Sequence, residues 1–309
     1  MKKKIEVNVM PNYFCNYFCE YCYLGSLREN RKIIDTELLI KNLEDISSRY
    51  NIDRIGVYGG EISLLPKNKL EELVHVCKKF SDNIVLISNM SNDIDINEVR
   101  FATSLNYERT NYEGTKLKLL FTDKNNLSIN IVITPSILKR DIDSLMKELD
   151  LYGANIELVR YSPSKTNSFK YNISDKEFED YLKLFISKYK SRKNKFTLSN
   201  ISMLDDCLEK KYSPCMDSVI FISPYNKLCF IDFDGNMEFF HSVESIDDYI
   251  ANVENEYRKY TEKCGACEYF GHCYAEHLNL NEKCCGMKSL LKWYEENIYK
   301  NNRNLSTSV

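Results

Sequence analysis

The sequence predicts an α/β protein: a parallel sheet curved into a partial (β/α)6 TIM-like barrel, followed by a small cysteine-rich extension. Three observations carry the prediction. Short β-rich runs alternate with longer amphipathic stretches as far as residue 195. Two of those runs, IVLIS and INIVIT, are apolar on both faces, as strands covered on both sides are. The alternation then fails where a turn-rich and cysteine-rich segment begins, which divides the chain into 1–195 and 196–309.

The first run is Lys4–Val9, and further runs follow at 54–58, 83–88, 99–105, 127–134 and 155–161. Helices are predicted between them over 35–50, 67–80, 112–123 and 137–151, with another at 175–190 after the last run. In the first helix Leu38, Leu39, Ile40, Leu43 and Ile46 follow helical spacing. Six β–α units in this order imply one parallel sheet with right-handed crossovers. Beyond 195, the segments 218–222 and 228–240 read as a hairpin-like piece, with turn signals at Pro224-Tyr225-Asn226 and Asp234-Gly235-Asn236. A cysteine-rich loop then leads to a last amphipathic helix over 287–299.

A chain of 309 residues can bury a large core. Its 42 basic and 45 acidic residues leave a net charge of −3, which argues against a nucleic-acid surface or a polybasic membrane patch. The basic N-terminus is no signal peptide, because Glu6, Asn8, Pro11 and Asn12 interrupt its apolar stretch. No uncharged apolar run approaches the roughly 20 residues that span a bilayer. These features lead us to expect a soluble cytoplasmic protein, with no membrane and no nucleic acid among its partners.

Twelve cysteines are many for such a chain, and without an export signal they point to metal rather than disulfides. Three fall between Cys15 and Cys22 and five between Cys264 and Cys285, leaving Cys77, Cys207, Cys215 and Cys229 between the groups. Two end clusters suggest two metal sites. Cys77, inside a predicted helix, reads as a core thiol, and His272 as a surface residue.

The first group, Cys15-Asn-Tyr-Phe-Cys19-Glu-Tyr-Cys22, is a CxxxCxxC directly after the first strand. Three thiolates can hold three irons of a 4Fe–4S cube and leave the fourth iron open, whereas a closed structural site normally has a fourth protein ligand nearby. Zinc with one distant ligand and plain core thiols are the other readings of the spacing. The loop follows a barrel strand, and such loops form the face where barrels of this kind place their chemistry.

With Tyr21 as the aromatic residue before the last cysteine, the motif resembles the signature of the radical S-adenosylmethionine superfamily. Val57-Tyr58-Gly59-Gly60-Glu61 is similar to that family's GGE motif, with Ile62 where proline is common. Leu86-Ile87-Ser88-Asn89 resembles its third-strand ending, with Met90 in place of glycine, and Thr103-Ser104-Leu105-Asn106 its fourth-strand Ser-Leu-Asp. INIVITP and IELVRYSP match its fifth and sixth strands, the latter carrying Arg160 either inward or into solvent. The resemblance covers residues 4–163 in the right order. It implies that Cys15, Cys19 and Cys22 hold the cluster. It also implies that Gly59, Gly60 and Glu61 meet the methionine end of S-adenosylmethionine, and that Tyr21, Ser88, Asn89, Ser104 and Asn106 line the cofactor pocket.

Cys264-Gly-Ala-Cys267 with Cys273 six residues on, and Cys284 and Cys285 beyond, suits either zinc or an auxiliary 4Fe–4S cluster. After such a barrel it looks like the SPASM or twitch extension, and Asp234-Gly235 upstream adds to that likeness. Phe240, followed by His241, and His277 stand where the full pattern has cysteines. The resemblance therefore implies one auxiliary cluster, on Cys264, Cys267, Cys273 and either Cys284 or Cys285. A second one on Cys215, Cys229, His241 and His277 is not expected.

The superfamily implies reductive cleavage of S-adenosylmethionine to a 5′-deoxyadenosyl radical that takes hydrogen from a substrate. An electron donor such as flavodoxin or ferredoxin would supply the electron. Proteins with this extension most often modify peptides, so a ribosomally made peptide is the leading substrate, with 22 Tyr and 15 Phe available for a peptide groove. No peptide-recognition domain precedes Cys15, so a leader would dock on the barrel or on a separate protein. The alternatives are a small-molecule dehydrogenase or carbon–carbon bond-forming enzyme of the same superfamily, and a non-enzymatic zinc or adaptor protein.

Overall fold

The computed structural model describes residues 2–123, 126–161, 169–211, 218–230, 241–273 and 287–300. Six parallel strands follow the predicted order: β1 Lys4–Val9, β2 Asn51–Val57, β3 Ile84–Ile87, β4 Arg100–Ser104, β5 Leu127–Ile133 and β6 Asn155–Arg160. Each pairs with the next in parallel register. The fold is the expected α/β partial barrel.

The helices between the strands follow from local chemistry. Helix α1 (Thr36–Arg49) starts at Asp35, whose carboxylate accepts the Glu37 and Leu38 N–H groups at 2.9 and 3.1 Å. It buries Leu39, Leu43 and Ile46 against the sheet, while Leu38 turns outward. Helix α2 (Lys67–Lys78) follows Pro66 and buries Leu70, Leu73 and Val74, with Cys77 a fully buried core thiol. Burial pushes that thiol up to about 12. Helix α3 is shorter than its pattern, Tyr112–Leu119.

The helix predicted over 137–151 is two. A single turn, α4 (Pro135–Leu138), is capped by Thr134, and α5 (Ile142–Tyr152) starts afresh at Asp141, which accepts Ser144 N–H at 2.8 Å. It stops at Gly153, whose φ of 59° is the left-handed conformation that lets the chain turn into β6. Helix α6 (Asp175–Lys190) has a full capping box between Ser174 and Glu177.

Beyond residue 195 the sheet continues. A two-residue β7 (Thr197–Leu198) pairs parallel with β6 and leads into α7 (Ser199–Leu208). Strand β8 (Val219–Ile222) returns to the other end of the sheet and pairs parallel with β1, from Glu6↔Val219 to Val9↔Ile222. Strands β9 (Leu228–Phe230) and β10 (His241–Val243) add antiparallel to it, giving the order β10-β9-β8-β1-β2-β3-β4-β5-β6-β7. The turn at Pro224-Tyr225-Asn226 closes with Asn226 N–H on Ser223 O at 2.9 Å. The division at 195 thus falls inside one hydrogen-bonded sheet. Asp234-Gly235-Asn236 and Phe240 lie outside the described residues.

The segment read as a cysteine-rich loop begins instead with a long helix, α8 (Ile246–Cys264), capped by Ser245. Tyr249 is buried, and Ile246, Ile250 and Val253 pack beside it against the β1–β2–β3 core. The last helix, α9 (Met287–Tyr294), runs into one π-helical turn at Glu295–Tyr299. Tyr294, fully buried, donates to Asp205 of α7 at 2.8 Å and fastens this helix to the barrel. Among the described residues no helix is long and apolar enough to cross a membrane.

Leu43 sits in the middle of α1 at 0 % exposure, while Leu38 on the same helix is 45 % exposed. Leu43→Ala is expected to lower unfolding free energy by about 2–4 kcal/mol in urea titration. Leu38→Ala should stay within about 0.5 kcal/mol of wild type.

Candidate active site

The C-terminal ends of β1 to β6 surround a cleft of about 360 Å³. Each strand contributes through the residues that follow or end it. Cys15, Cys19, Tyr21 and Cys22 come from the loop after β1, and Tyr58, Gly59 and Gly60 from the turn after β2. Ser88 and Asn89 follow β3, Ser104 and Asn106 close β4, Val132 lies on β5, and Arg160 and Tyr161 end β6. Of the residues expected around a cofactor, all but Glu61 line the wall of this one cleft.

Glu61 lies behind the wall, with no exposed surface. Its carboxylate accepts the Ser63 N–H at 2.8 Å, the Ser88 hydroxyl at 2.6 Å and the Asn89 N–H at 2.5 Å. Its own N–H donates to Phe14 O at 2.8 Å, and Gly60 N–H donates to Asn12 O at 2.9 Å. The buried Asn12 amide completes the junction, donating to Phe14 O at 2.9 Å. The loop after β1 therefore lies directly on the Gly59-Gly60 turn. A Cβ on Gly59 would stand 2.3 Å from Asn12 O, and one on Gly60 would stand 2.0 Å from Phe14 O. These glycines serve close backbone approach.

Asn89 carries the contact forward to the thiols. Its side-chain amide donates to Cys15 Sγ at 3.6 Å and to Asn16 Oδ1 at 3.0 Å, and Tyr17 N–H reaches the same sulfur at 3.4 Å. Cys19 Sγ lies 3.7 Å from Thr110 Oγ1. All three cysteines are free thiols. Burial, with Glu61 and Cys19 nearby, raises Cys15; burial and the other two cysteines push Cys22 up to about 11. Three thiolates here need a compensating cation. Among the described residues no three His, Cys, Asp or Glu side chains gather closely enough to hold a single metal ion. A tetrahedral zinc would bring its sulfurs to within about 4 Å of one another, given Zn–S near 2.3 Å. A 4Fe–4S cube instead takes each thiolate on a separate iron, and three free thiols on one loop beside an open cleft fit that group.

Several residues here carried no motif. Arg109 is buried and ties two strand ends together, donating to Ser104 O and Asn89 O, with Thr103 Oγ1 at 3.3 Å. Its guanidinium also lies 5.6 Å from the Tyr17 ring centre. Tyr17, Tyr23 and Tyr58 line the cleft, and burial with the nearby Tyr58 keeps Tyr23 protonated far above the ordinary range. Arg160 faces the cleft rather than solvent and pairs with the buried Asp175. Met90 adopts φ 60°, the left-handed backbone that glycine takes most readily.

The second cysteine group starts at the end of α8. Cys264 is its last residue, Cys267 N–H closes a turn onto Cys264 O at 2.8 Å, and Cys273 is buried two residues after Gly271 at φ 80°. His272 closes a turn, its N–H on Tyr269 O at 3.0 Å. Cys284, Cys285, Cys215 and His277 lie outside the described residues. Cys229 is buried in β9 opposite Ser242 of β10, and His241 is paired with Phe230. Adjacent positions on a strand face opposite sides of the sheet. The Cys229 sulfur, 3.5 Å from Ser242 Oγ, and the His241 ring, stacked on Phe230, therefore point away from each other.

The chain shares its fold with native anSMEcpe carrying bound AdoMet and Cp18Cys peptide, at TM-score 0.70 and 14% identity over 98% of this chain and 99% of that one. It is likewise similar to SuiB of Streptococcus suis bound to precursor peptide SuiA, at TM-score 0.63 and 15% identity over 94% of this chain and 76% of that one. SuiB bound to S-adenosylmethionine superposes at TM-score 0.62 with 15% identity over 94% of this chain and 78% of that one. No family model and no curated protein sequence matches the chain.

Glu61→Gln replaces one acceptor oxygen by a donor facing N–H or O–H groups. It should lower stability by about 1–3 kcal/mol in thermal unfolding. Gly60→Ala should do worse, since its methyl meets backbone rather than a movable side chain, and loss of folded protein on expression would report it.

Proposed function

We propose that this chain is a radical S-adenosylmethionine enzyme that modifies a peptide. One observation carries the reading: the CxxxCxxC thiols, the Gly59-Gly60 turn and the polar strand ends Ser88, Asn89, Ser104 and Asn106 share one cleft at the C-terminal ends of the barrel strands. AdoMet and a peptide accompany anSMEcpe, and precursor peptide SuiA accompanies SuiB, both of which have this fold.

In this reading Cys15, Cys19 and Cys22 hold a 4Fe–4S cluster and S-adenosylmethionine occupies the cleft. Cys264, Cys267 and Cys273, with Cys284 or Cys285, hold an auxiliary 4Fe–4S cluster. When bound, the first cluster supplies the electron that splits S-adenosylmethionine into methionine and a 5′-deoxyadenosyl radical able to take hydrogen from the substrate. The chain's own residues place and protect. Asn89 and the Tyr17 N–H direct hydrogen bonds at Cys15 Sγ, a contact of the type that sets cluster potential. Glu61 and Arg109 fix the ends of β3 and β4, so the cofactor pocket is held before anything enters it. Tyr17, Tyr21, Tyr23, Tyr58 and Tyr161 give the wall aromatic surface that displaces water from a reactive intermediate. A flavodoxin- or ferredoxin-type donor in a reducing cytoplasm supplies the electron.

Anaerobic reconstitution is expected to load about eight irons per chain, and dithionite should then yield 5′-deoxyadenosine. Cys22→Ala should leave about four irons and abolish 5′-deoxyadenosine. Bound zinc without cleavage would overturn the reading.

A further inference from the structure

The charges of the cleft are one-sided. Among the described residues lining it there are two arginines and no Asp, Glu, Lys or His. The two arginines do different work. Arg109 commits both terminal nitrogens to protein acceptors at Ser104, Asn89 and Thr103, as a strut between strand ends. Arg160, the last residue of β6, gives Nη1 alone to Asp175. Its side chain is 12% exposed and Asp175 8% exposed. Among the described residues its buried Nε has no hydrogen-bond acceptor, and the same holds for the Nε of Arg109, whose two terminal nitrogens are already taken.

A guanidinium presents Nε and Nη2 as one edge, two parallel N–H groups that match the two oxygens of a carboxylate. Asp175 occupies the opposite corner. Ser174 caps α6 and Asp175 is its first residue, so the helix N-terminus holds the carboxylate that orients Arg160. A buried Nε–H without an acceptor is costly, and a bound anion would remove that cost. The surroundings suit a chain end or side chain entering from the mouth: Tyr161 is buried next to Arg160, and Tyr171 packs edge-on against Tyr161 and Tyr21, 6.1 and 6.4 Å between ring centres. The Gly59-Gly60 turn belongs to β2, which β3, β4 and β5 separate from β6 in the sheet.

We propose that Arg160 is the substrate-reading residue of this cleft and that the substrate enters with a carboxylate, which Arg160 takes on its Nε–Nη2 edge while Asp175 holds the guanidinium in place. The proposal rests on the peptide reading above only for the identity of the molecule that carries the carboxylate.

The test uses the full reconstituted protein and four pools of N-acetylated pentapeptides. Their central residue is Asp or Asn, their C-terminus is free or amidated, and retention is read by mass spectrometry with and without S-adenosylmethionine. Pools with a carboxylate should be retained at least about tenfold better than the Asn-amide pool. The Asp-amide and Asn-free arms tell a side-chain carboxylate from a chain end. Arg160→Gln should erase the preference. Because it strands a buried Asp175, the doubly substituted Arg160→Gln, Asp175→Asn protein, checked for an unchanged melting temperature, serves as the second variant. S-adenosylmethionine binding by equilibrium dialysis is measured on both, to tell a general loss of the cleft from a loss of peptide selection. Equal retention of the Asn-amide pool, a preference that survives in the folded double variant, or a loss confined to S-adenosylmethionine binding would each overturn the proposal. Wild type that selects carboxylates but never binds or cleaves S-adenosylmethionine would uphold it and overturn the enzymatic reading instead.

Discussion

A carboxylate is an expensive group to bury, and Glu61 is fully buried. Three donors offset that cost, from Ser63, Ser88 and Asn89, each a charge-assisted bond of about 1.5–3 kcal/mol. They come from the turn after β2 and from the end of β3, so one side chain fixes the spacing between two strand ends. Asn89, held by its N–H, presents its amide to Cys15. The glycines just before Glu61 let the backbone at Asn12–Phe14 settle on the same turn. The Cys15–Cys22 loop, the Gly59-Gly60 turn and the third-strand end are thereby tied together, and the remaining walls of the cleft are built onto them.

Most of the barrel could be read from the sequence because its signals are local. Strand β1 and helix α6 match their predicted bounds, one through an unbroken β-rich run, the other through the Ser174–Glu177 box. The break before α5 was written in Thr134-Pro135 and Asp141-Ile-Asp-Ser144, but a continuous apolar period over 137–151 outweighed it. Helix α8 was missed for the opposite reason. Its signal is confined to Ile246, Tyr249, Ile250 and Val253, whose spacing is helical, and it runs straight into the cysteine group at Cys264.

What the sequence could not disclose was non-local. Arg109 belongs to no motif, and its value lies in reaching Asn89, twenty residues away, across a strand. Arg160 gains its orientation from Asp175, in the next helix. The two cysteine groups, far apart in sequence, border one core. Cys273 lies in it, and Cys22, Cys264 and Cys267 pack against it beside Tyr23 and Tyr58. Packing of this kind is set by tertiary structure, and neither spacing nor periodicity encodes it.

The parallel pairing of β1 with β8 has a consequence for how the protein is made. Strand β1 is made well before Val219–Ile222, yet one of its two hydrogen-bonding edges waits for them. Until then the strand that carries the Cys15–Cys22 loop is a sheet edge, open to mispairing with other chains. Contacts of such long sequence separation form slowly. The cysteine-rich half is therefore more than an appendage. It closes the edge of β1, and a chain cut short before β8 would keep a barrel with an unfinished seam beside the Cys15–Cys22 loop.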